Sequence, residues 1–527
     1  MKKSTLRRIC VALLAAILLS MAGCGPKAEP VADPIDDNYR TFYQIFVGSF
    51  SDSNGDGLGD LRGIINRFDY LNDGNMNSET SLGIQGIWLS PIFSSPSYHK
   101  YDATNYYKVD NEFGTEEDLK ELIELCHSRN VKLILDLVIN HTSNRHEWFE
   151  RFKQARKDGD TTNPYYNYYT CVTKEEQVGG RTYYPVYGTD FWYEGNFSNE
   201  MPELNFDNPD VRQAVLDVAK YYLDLGVDGF RFDAVKYIYY GDAPQSVDFW
   251  QWYMQELKAI NPEIYCVGEC WSGETEILQY YSAMNCFNFG VSGQEGVIAN
   301  TVRGNSIANY TGYISAFQDK VQNANPHGMP MNFLSNHDQD RIAGFFLFDN
   351  QTRMAANLCL LAPGSPVIYY GEEIGMKGSR PGGANTDANR RLAMLWGDGD
   401  KVKNPVGANY KNQISTTVAD QMKDEDSLYR YYCRLLTIRH TYPAIARGNY
   451  DALDCNANLG GFLISYEGEK LVLLHNNSGE EVTFDLADCE ALTNMTVSEL
   501  CEIIGSGRAS LKGTVLTVAA YTSVLLK

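Results

Sequence analysis

Residues 227–233 read Val227-Asp-Gly-Phe-Arg-Phe-Asp233, a short run of mainly apolar and aromatic residues that ends on an acid. The length of the run and its residue types predict a buried strand with a carboxylate at its carboxyl end. An amphipathic stretch at 209–225 precedes it, so we expect a helix to lead into the strand. Helix and strand alternating in this way indicate a parallel sheet covered by helices.

Runs of the same kind recur along the chain with amphipathic segments, such as 115–129, between them. We count eight runs, at 43–47, 85–90, 132–138, 227–233, 264–269, 284–289, 331–335 and 366–370. Eight strands alternating with helices predict an α/β fold of the (β/α)8 or TIM barrel type. In that architecture the functional residues lie at the carboxyl ends of the strands, where the loops form the mouth of the barrel.

The predicted barrel is interrupted once and followed by a second unit. Residues 142–205 are too many for a simple loop and are rich in Tyr, Gly and Asn, so we expect a small inserted domain that walls the cleft. Alternating stretches such as 461–466 replace the helical pattern near the end of the chain and predict an antiparallel β-sandwich at 448–527. The barrel then takes residues 38–141 and 206–447.

The first 24 residues have the pattern of a signal peptide. Basic residues precede an apolar run at 9–19, which is too short to span a bilayer permanently, and Met21-Ala-Gly-Cys24 follows. This resembles a bacterial lipobox, although Met21 fits less well than the usual Leu, and it predicts lipidation of Cys24 and a tether at 25–37. We expect a lipid-anchored protein outside the cytoplasm. A plain secretory signal is the alternative.

The net charge and the cysteine content of the chain limit the classes of partner that we expect. The formal charge of −22 repels nucleic acid and anionic lipid, so we expect no nucleic-acid partner and contact with a membrane only through the lipid anchor. Ten cysteines remain after Cys10 and Cys24, an even number that permits disulfides outside the cytoplasm. Their scattered spacing favours buried free thiols over a metal centre. We expect a monomer.

Polar residues are concentrated where the predicted strands end. Hydrolysis of a glycosidic bond needs two acids that face each other across the bond, one as nucleophile and one as proton donor. Asp233 and Glu269 end neighbouring strands, and Arg231 projects to the same face as Asp233, where it would keep that carboxylate ionised. Further strand-end groups are Asp136, Asn140, His141, His337 and Asp338.

Taken together, these segments resemble the α-amylase family of glycoside hydrolases (family 13) over nearly the whole mature chain. The matching motifs, in the family's order, are Asp136-Leu-Val-Ile-Asn-His141, Gly229-Phe-Arg-Phe-Asp233-Ala-Val-Lys236, Val267-Gly-Glu269-Cys-Trp271 and Phe333-Leu-Ser-Asn-His-Asp338. The resemblance implies Asp233 as nucleophile, Glu269 as general acid/base and Asp338 as the acid that grips the sugar hydroxyls. It also places Arg231, His141 and His337 around the same sugar.

The resemblance extends to subsite residues. Tyr98-His-Lys-Tyr101-Asp102 is similar to the family's loop in which a Tyr stacks on the sugar and a His binds it, which implies these roles for Tyr101 and His99. Lys236 and Trp271 look like the residues on the leaving-group side. A solvent-exposed loop position for His99 and a core position for Trp271 remain open.

A candidate calcium loop follows the first strand. Asp52-Ser-Asn54-Gly-Asp56-Gly-Leu58-Gly-Asp60 places oxygen ligands at alternate positions, as Ca²⁺ loops require, but Gly63 stands where an EF-hand has its bidentate Glu. α-Amylase relatives carry a similar loop here. The implied ligands are the side chains of Asp52, Asn54, Asp56 and Asp60 and the carbonyl of Leu58. An Asx-rich turn without metal is the alternative.

The substrate that the enzyme cleaves depends on the subgroup of the α-amylase family that it resembles. Met201-Pro-Glu-Leu-Asn205 is similar to the MPDLN motif of neopullulanase-like and intermediate-group amylases, although Glu203 departs from it, while 205–209 resembles oligo-1,6-glucosidases. Because export suits degradation of a polymer, we predict an α-amylase that cleaves internal α-1,4 bonds of starch and maltodextrins. The alternatives are an exo-acting α-glucosidase or oligo-1,6-glucosidase and a neopullulanase-like enzyme. A glucan-binding lipoprotein without catalysis is disfavoured because all three acids are present.

Overall fold

The computed structural model describes residues 35–304, 306–380, 387–492 and 495–527. The predicted signal peptide, the lipidation site at Cys24 and most of the 25–37 tether lie outside this part of the chain. Its strands, in chain order, are β1 Phe42–Ile45, β2 Gly86–Leu89, β3 Phe93–Ser94, β4 Asn105–Val109, β5 Lys132–Leu137, β6 Cys171–Thr173, β7 Tyr183–Pro185, β8 Phe191–Glu194, β9 Gly229–Phe232, β10 Tyr265–Gly268, β11 Asn285–Cys286, β12 Val367–Tyr369, β13 Asn449–Asp454, β14 Leu459–Tyr466, β15 Glu469–Asn476, β16 Val482–Asp485, β17 Leu500–Ile504, β18 Ala509–Lys512, β19 Val515–Val518 and β20 Thr522–Leu526.

The α-helices begin and end between these strands. In chain order they are α1 Leu61–Asn66, α2 Phe68–Leu71, α3 Glu116–Ser128, α4 Glu147–Asp158, α5 Pro209–Leu225, α6 Ala243–Ile260, α7 Glu274–Tyr280, α8 Val297–Val302, α9 Ile307–Ala324, α10 Asp349–Leu360, α11 Val418–Gln421, α12 Leu428–Thr441 and α13 Ala444–Arg447. No helix within the described ranges is long and apolar enough to cross a membrane.

Seven strands form one parallel sheet in the order β11-β10-β9-β5-β2-β1-β12. Single parallel bridges from Phe287 to Met331 and from Phe333 to Val367 complete the ring between its two outer strands. The (β/α)8 barrel is therefore confirmed. The seventh predicted run, 331–335, occupies its place in the ring, but the prediction that it forms a strand is wrong. Its backbone pairs with the neighbouring strands only through these bridges. The side-chain amide of Asn332 donates a hydrogen bond to the carbonyl of Pro363.

Two layers of side chains stabilise the barrel. The interior contains inward-facing apolar residues from around the ring, among them Phe42, Trp88, Tyr265, Phe287 and Phe333. A larger cluster fills the space between the sheet and the helices. Trp88 of the interior layer contacts the strand-end groups Asp136 and Arg231, which are themselves buried and therefore have a low-dielectric environment.

Helix α5 shows how local sequence sets the bounds of an element. Asn208 caps its first turn by accepting the N–H of Asp210, and Pro209 occupies the first helical position. Buried Val211, Val215, Val218, Ala219 and Tyr222 recur at helical spacing on the face toward the sheet. Gly226, with a φ of 104°, ends the helix just before the run that forms β9.

The insertion after β5 contains α4 and a three-stranded antiparallel sheet in the order β6-β8-β7. Near the end of the chain, a five-stranded sheet (β13-β14-β15-β20-β17) and a three-stranded sheet (β16-β19-β18) share an apolar cluster. Leu474 and Val524 enter this cluster from the larger sheet, and Leu516 and Val518 from the smaller. Two antiparallel sheets around one core make the predicted β-sandwich. The ten cysteines of the described ranges are unpaired thiols.

Candidate active site

One guanidinium joins three carboxyl groups at the mouth of the barrel. Nη1 of Arg231 lies 2.7 Å from Oδ1 of Asp136 and 2.6 Å from Oδ1 of Asp233. Nη2 lies 2.8 Å from Oε1 of Glu269, an ion-pair contact without the alignment of a hydrogen bond. The Arg231 side chain is only 1% exposed. The structure therefore brings Asp233 and Glu269 together at one arginine.

Strand register explains this convergence. Arg231 on β9 pairs with Asp136 on β5 and with Val267 on β10. Because side chains alternate along a strand, Arg231 and Asp233 share one face. The chain after Asp233 turns sharply, since Ala234 has a φ of 50°, a left-handed conformation that is costly for a residue with a side chain. This turn lets the N–H of Ala234 donate to Oε2 of Glu269 at 3.2 Å.

Burial and neighbouring charges suit Glu269 and Asp233 to different roles. Desolvation raises the pKa of Glu269 to about 7, with Arg231 opposing the rise and Asp233 adding to it. Burial also raises the pKa of Asp233, but Arg231 opposes it by charge and by a hydrogen bond. A carboxyl group with a pKa near neutrality is suited to donate a proton, and a carboxylate held by an arginine is suited to attack a carbon.

Asp338 has a different environment. Its Oδ1 lies 2.7 Å from Nη2 of Arg391, and its Oδ2 lies 3.0 Å from Nε2 of His337. These partners outweigh burial and hold the pKa of Asp338 well below its usual range. Asp338 is therefore an ionised hydrogen-bond acceptor at any pH near neutrality.

The residues predicted to surround the sugar lie together. The hydroxyl of Tyr101 donates to Asp136 at 2.9 Å and contacts Nε2 of His337 at 2.6 Å, and the two rings stack at 5.2 Å. Nε2 of His141 lies 3.1 Å from the carbonyl of Tyr101. His99 is half-buried and accepts the N–H of Tyr101, so it is not a solvent-exposed loop residue.

The histidines of this group are neutral. Burial lowers the pKa of His99 to about 3 and the pKa of His141 to about 4. It also lowers the pKa of His337, although Asp338 opposes that shift. A neutral imidazole can both donate and accept hydrogen bonds, as binding of sugar hydroxyls requires.

Lys236 and Trp271 meet next to Glu269. Nζ of Lys236 donates to the backbone carbonyl of Trp271 at 2.7 Å. The Trp271 side chain is 47% exposed and stacks on Phe289 with ring centroids 5.2 Å apart. Trp271 is therefore a surface residue and not a core residue. One face of its ring packs on Phe289, and its exposed part is available to stack on a ligand.

A cleft of about 860 Å³ opens from Asp338. The loops after β10, β11 and β12 and the chain after Asp338 form its walls. Its lining includes Trp271, Phe289, Tyr313, Phe345 and Arg390. This volume lies near the upper end for ligand sites and exceeds what one sugar ring needs.

Comparisons with known proteins identify the family. Residues 44–448 match the model described as alpha amylase, catalytic domain. The chain belongs to the α-amylase family. This α-amylase family member is 35% identical over 475 residues to "Alpha-amylase 3" of Dictyoglomus thermophilum, covering 89% of each chain. It is 31% identical to an oligo-1,6-glucosidase of Bacillus cereus, covering 81% of this chain and 88% of the relative.

A solved structure agrees with these relatives. "Eubacterium rectale Amy13B" superposes with a TM-score of 0.87 at 35% identity, covering 95% of this chain and 97% of that one. The α-amylase family member is accordingly a glycoside hydrolase that acts on carbohydrate, and its relatives' names span more than one specificity.

The loop that the family resemblance assigns to calcium is ordered by its own side chains. Oδ1 of Asp52 accepts the N–H groups of Asn54 at 3.0 Å and Gly55 at 2.6 Å, and its Oδ2 accepts that of Gly57 at 2.7 Å. The side chain of Asn54 in turn accepts the N–H of Asp56. Consecutive Asx turns therefore shape the loop.

The remaining predicted ligands continue this pattern. Oδ1 of Asp56 accepts the N–H of Leu58, and Asp60 caps α1 by accepting the N–H of Gly63 at 2.6 Å. No group of three or more His, Cys, Asp or Glu within the described ranges is arranged as a metal centre. The predicted set also relies on Asn54 and on the carbonyl of Leu58, and hard oxygens of these types are those that Ca²⁺ prefers. Calcium binding stays a prediction.

Sequence reasoning assigned no role to two residues that complete the site, Asp136 and Arg391. Asp136 is 0% exposed and accepts from Trp88 Nε1 at 3.2 Å as well as from Tyr101 and Arg231. Its position in the same motif as His141 was a signal that it belongs to the site. Arg391 lies in an irregular segment after β12 and carries no comparable signal. Only the fold brings it to Asp338.

Proposed function

We propose that this glycoside hydrolase is a retaining α-amylase that cleaves internal α-1,4 bonds of starch and maltodextrins. The observation that carries the proposal is the contact of one guanidinium, that of Arg231, with both Asp233 and Glu269 beside an open cleft of about 860 Å³. Two carboxyl groups held by one guanidinium fit the short spacing of a retaining pair, which forms a covalent intermediate, better than the wider spacing of an inverting pair, which places a water molecule for direct attack.

In the first step, Asp233 attacks the anomeric carbon and Glu269 gives its proton to the departing glycosidic oxygen. The pKa of Glu269, raised by burial, supports its role as acid, and Arg231 keeps Asp233 ionised. In the second step, Glu269, now ionised, takes a proton from water, which attacks the same carbon and releases Asp233. Inversion at each step gives net retention.

Asp338 and the neutral histidines act on the sugar itself. An ionised Asp338 would accept hydrogen bonds from ring hydroxyls, and those bonds strengthen as the ring flattens toward an oxocarbenium ion. Tyr101, stacked on His337, would support the ring from one face. These contacts stabilise the transition state more than the bound substrate, which is the requirement for catalysis.

The localisation and the metal belong to the same proposal. A lipid anchor at Cys24 would hold the enzyme outside the cytoplasm, where polymeric glucan is found, with the membrane touched only by the anchor. Ca²⁺ would bind Asp52, Asn54, Asp56, Asp60 and the carbonyl of Leu58 and would stabilise the loop after β1 without entering the chemistry. We propose a monomer.

An exo-acting α-glucosidase is the second candidate, favoured by the 31% identity to the Bacillus cereus oligo-1,6-glucosidase. Products from soluble starch and maltoheptaose at early times distinguish the two. We expect a ladder of maltooligosaccharides with α-configured reducing ends. Glucose as the sole early product would move the assignment to the exo-glucosidase, and products with β-configured ends would refute the retaining mechanism.

A further inference from the structure

A buried glutamine on β1 lies directly against one of the histidines of the site. Gln44 is 0% exposed and pairs with Trp88 of β2 in the register of the sheet. Because side chains alternate along a strand, Gln44 faces the barrel interior on the same side as Phe42. Its Nε2 lies 2.8 Å from Nδ1 of His337, which is also 0% exposed. The direction of this hydrogen bond depends on which nitrogen of the imidazole carries the proton.

Asp338 determines the state of the other ring nitrogen. Nε2 of His337 lies 3.0 Å from Oδ2 of Asp338. The second oxygen of this carboxylate pairs with Arg391 at 2.7 Å, and the pKa of Asp338 is held well below its usual range. An ionised carboxylate can only accept hydrogen bonds, so Nε2 of His337 must carry a proton.

Tyr101 leads to the same assignment. Oδ2 of Asp136 accepts the indole N–H of Trp88 at 3.2 Å, and its Oδ1 accepts a guanidinium N–H of Arg231 at 2.7 Å. Because these groups can only donate, Asp136 is an acceptor, and the hydroxyl of Tyr101 donates to it at 2.9 Å. That hydroxyl has one proton, so its oxygen must accept a hydrogen bond from Nε2 of His337, 2.6 Å away.

A neutral His337 then has no proton left for Nδ1. Burial lowers the pKa of His337, and the charges of Arg391 and Arg231 add to this effect while Asp338 opposes it. With its proton on Nε2, the ring presents a lone pair at Nδ1 that only a donor can satisfy. The side-chain N–H of Gln44 is that donor. If the amide were turned around, Oε1 of Gln44 would face the lone pair at the same distance, and two acceptors would repel each other.

The hydrogen bonds therefore run in one direction across the site. Gln44 donates to His337, which donates to Tyr101 and Asp338, and Tyr101 donates to Asp136. A chain of this kind is cooperative, because each bond polarises the next. Its first donor lies on β1, outside the motifs that carry the acids.

We propose that Gln44 is a positioning residue: by donating to Nδ1 it fixes the imidazole of His337 with its Nε2–H directed at Asp338 and Tyr101. This inference rests on the proposed glycoside hydrolysis, in which Asp338 and Tyr101 bind the sugar ring. Gln44 acts through His337, so its contribution to the reaction should vanish when the imidazole is absent.

The first test reads the proton position without measuring activity. In the full chain labelled with ¹⁵N-histidine, protonated and unprotonated ring nitrogens give separate resonances, and those of His337 are missing from His337→Asn. We expect a protonated Nε2 and an unprotonated Nδ1 in the wild type. In Gln44→Met the Nδ1 resonance should move because the donor is lost. A wild-type His337 protonated on Nδ1 would overturn the inference, as would an unmoved resonance.

The second test measures kcat/KM on maltoheptaose. Gln44→Met keeps the length of the side chain without the amide and should lose about tenfold, the effect of one buried hydrogen bond. Gln44→Asn keeps an amide that is too short to reach Nδ1 and should lose as much. Adding either change to His337→Asn should cause no further fall, because residues that act as a unit are not additive.

Gln318→Met is the matched control. Gln318 is 6% exposed and donates to the carbonyl of Gly448 at 2.9 Å, so the variant removes a buried amide far from the site and should keep the wild-type kcat/KM. An equal fall from Gln44→Met in the wild-type and His337→Asn backgrounds would indicate a general structural role and would overturn the inference. A wild type inactive on maltoheptaose would instead overturn the proposed function, and the resonances of His337 would still decide the direction of the hydrogen bond.

Discussion

The guanidinium of Arg391 lies 2.7 Å from the carboxylate of Asp338, although the two residues are 53 positions apart in the chain. Arg391 also donates to the carbonyl of His337 at 3.0 Å and to the hydroxyl of Tyr98 at 3.0 Å. It is buried, so its charge acts on Asp338 with little screening by solvent. This pair keeps Asp338 ionised and fixes the orientation of its carboxylate.

Replacing Arg391 with Met should leave Asp338 with His337 as its remaining close partner. We expect the free energy of unfolding at pH 7 to fall by about 3 kcal/mol. This is the lower end of the range observed when one partner of a buried ion pair is removed, and we choose it because Asp338 is partly exposed. The deficit should shrink as the pH falls toward the lowered pKa of Asp338, since protonation removes the unpaired charge. Urea unfolding at several pH values measures this. Arg391→Lys should lose less, and equal stability of Met variant and wild type would contradict the role.

Asp233→Asn should abolish the nucleophile while keeping the shape of the side chain. An amide cannot form the glycosyl ester, so the initial rate of reducing-end release from soluble starch should fall roughly 10³-fold or more. Asp224→Asn, the same change on the exposed face of α5, is the control and should keep the wild-type rate. A loss of less than tenfold would mean that Asp233 is not the nucleophile.

The pH profile of kcat/KM on maltooligosaccharides should be bell-shaped. Glu269 must be protonated to donate, so activity should fall as the pH rises through about 7, the value to which burial raises its pKa. Asp233 must be ionised, so activity should also fall with decreasing pH, and burial moves that limb above the usual range of an aspartate.

With α-maltosyl fluoride the first step needs no proton donor, so the alkaline limb should weaken. Glu269→Gln should lose the alkaline limb on this donor altogether. A wild-type profile on maltooligosaccharides that stays flat from pH 6 to pH 9 would contradict Glu269 as the acid.

If Ca²⁺ binds the loop after β1, chelation should destabilise the protein. A ligand at about 100 times its Kd stabilises the folded state by about 2.7 kcal/mol. For a chain of 527 residues, adding EGTA should therefore lower the melting temperature by about 2 to 3 °C. Calorimetry with and without 1 mM-scale Ca²⁺ measures the shift. Asp56→Ala should remove the response to Ca²⁺ while Asp69→Ala, an exposed acid on α2, should keep it. A wild type indifferent to both EGTA and Ca²⁺ would favour the metal-free Asx turn.

Lipidation of Cys24 is tested by fractionation of a bacterial host. The wild type should pellet with membranes and incorporate labelled palmitate, and Cys24→Ala should do neither, because it lacks the thiol that carries the lipid. Cys10→Ala, within the apolar run, is the control and should remain anchored. A membrane-bound Cys24→Ala variant would refute this form of attachment.

Most of the barrel was predictable because its signals are local. The apolar runs that became β1, β2, β5, β9, β10 and β12 are short, buried and bounded by polar residues. Helix α5 was predicted at its full length because Asn208, Pro209 and Gly226 mark its ends. The segment 331–335 was not predicted correctly because its backbone pairs only at single bridges, a property that depends on its neighbours in the ring.

The sequence by itself determined the barrel fold, the acids at its strand ends and the family resemblance. Strand ends and motif spacing can be recognised from residues that follow one another in the chain. Only the tertiary structure decided which residues, far away in the chain, shift the pKa values of those acids. Arg391 reaches Asp338 from an irregular segment after β12. Such contacts join residues far apart in the chain, and their energy comes from burial and charge at short range, which no local pattern encodes.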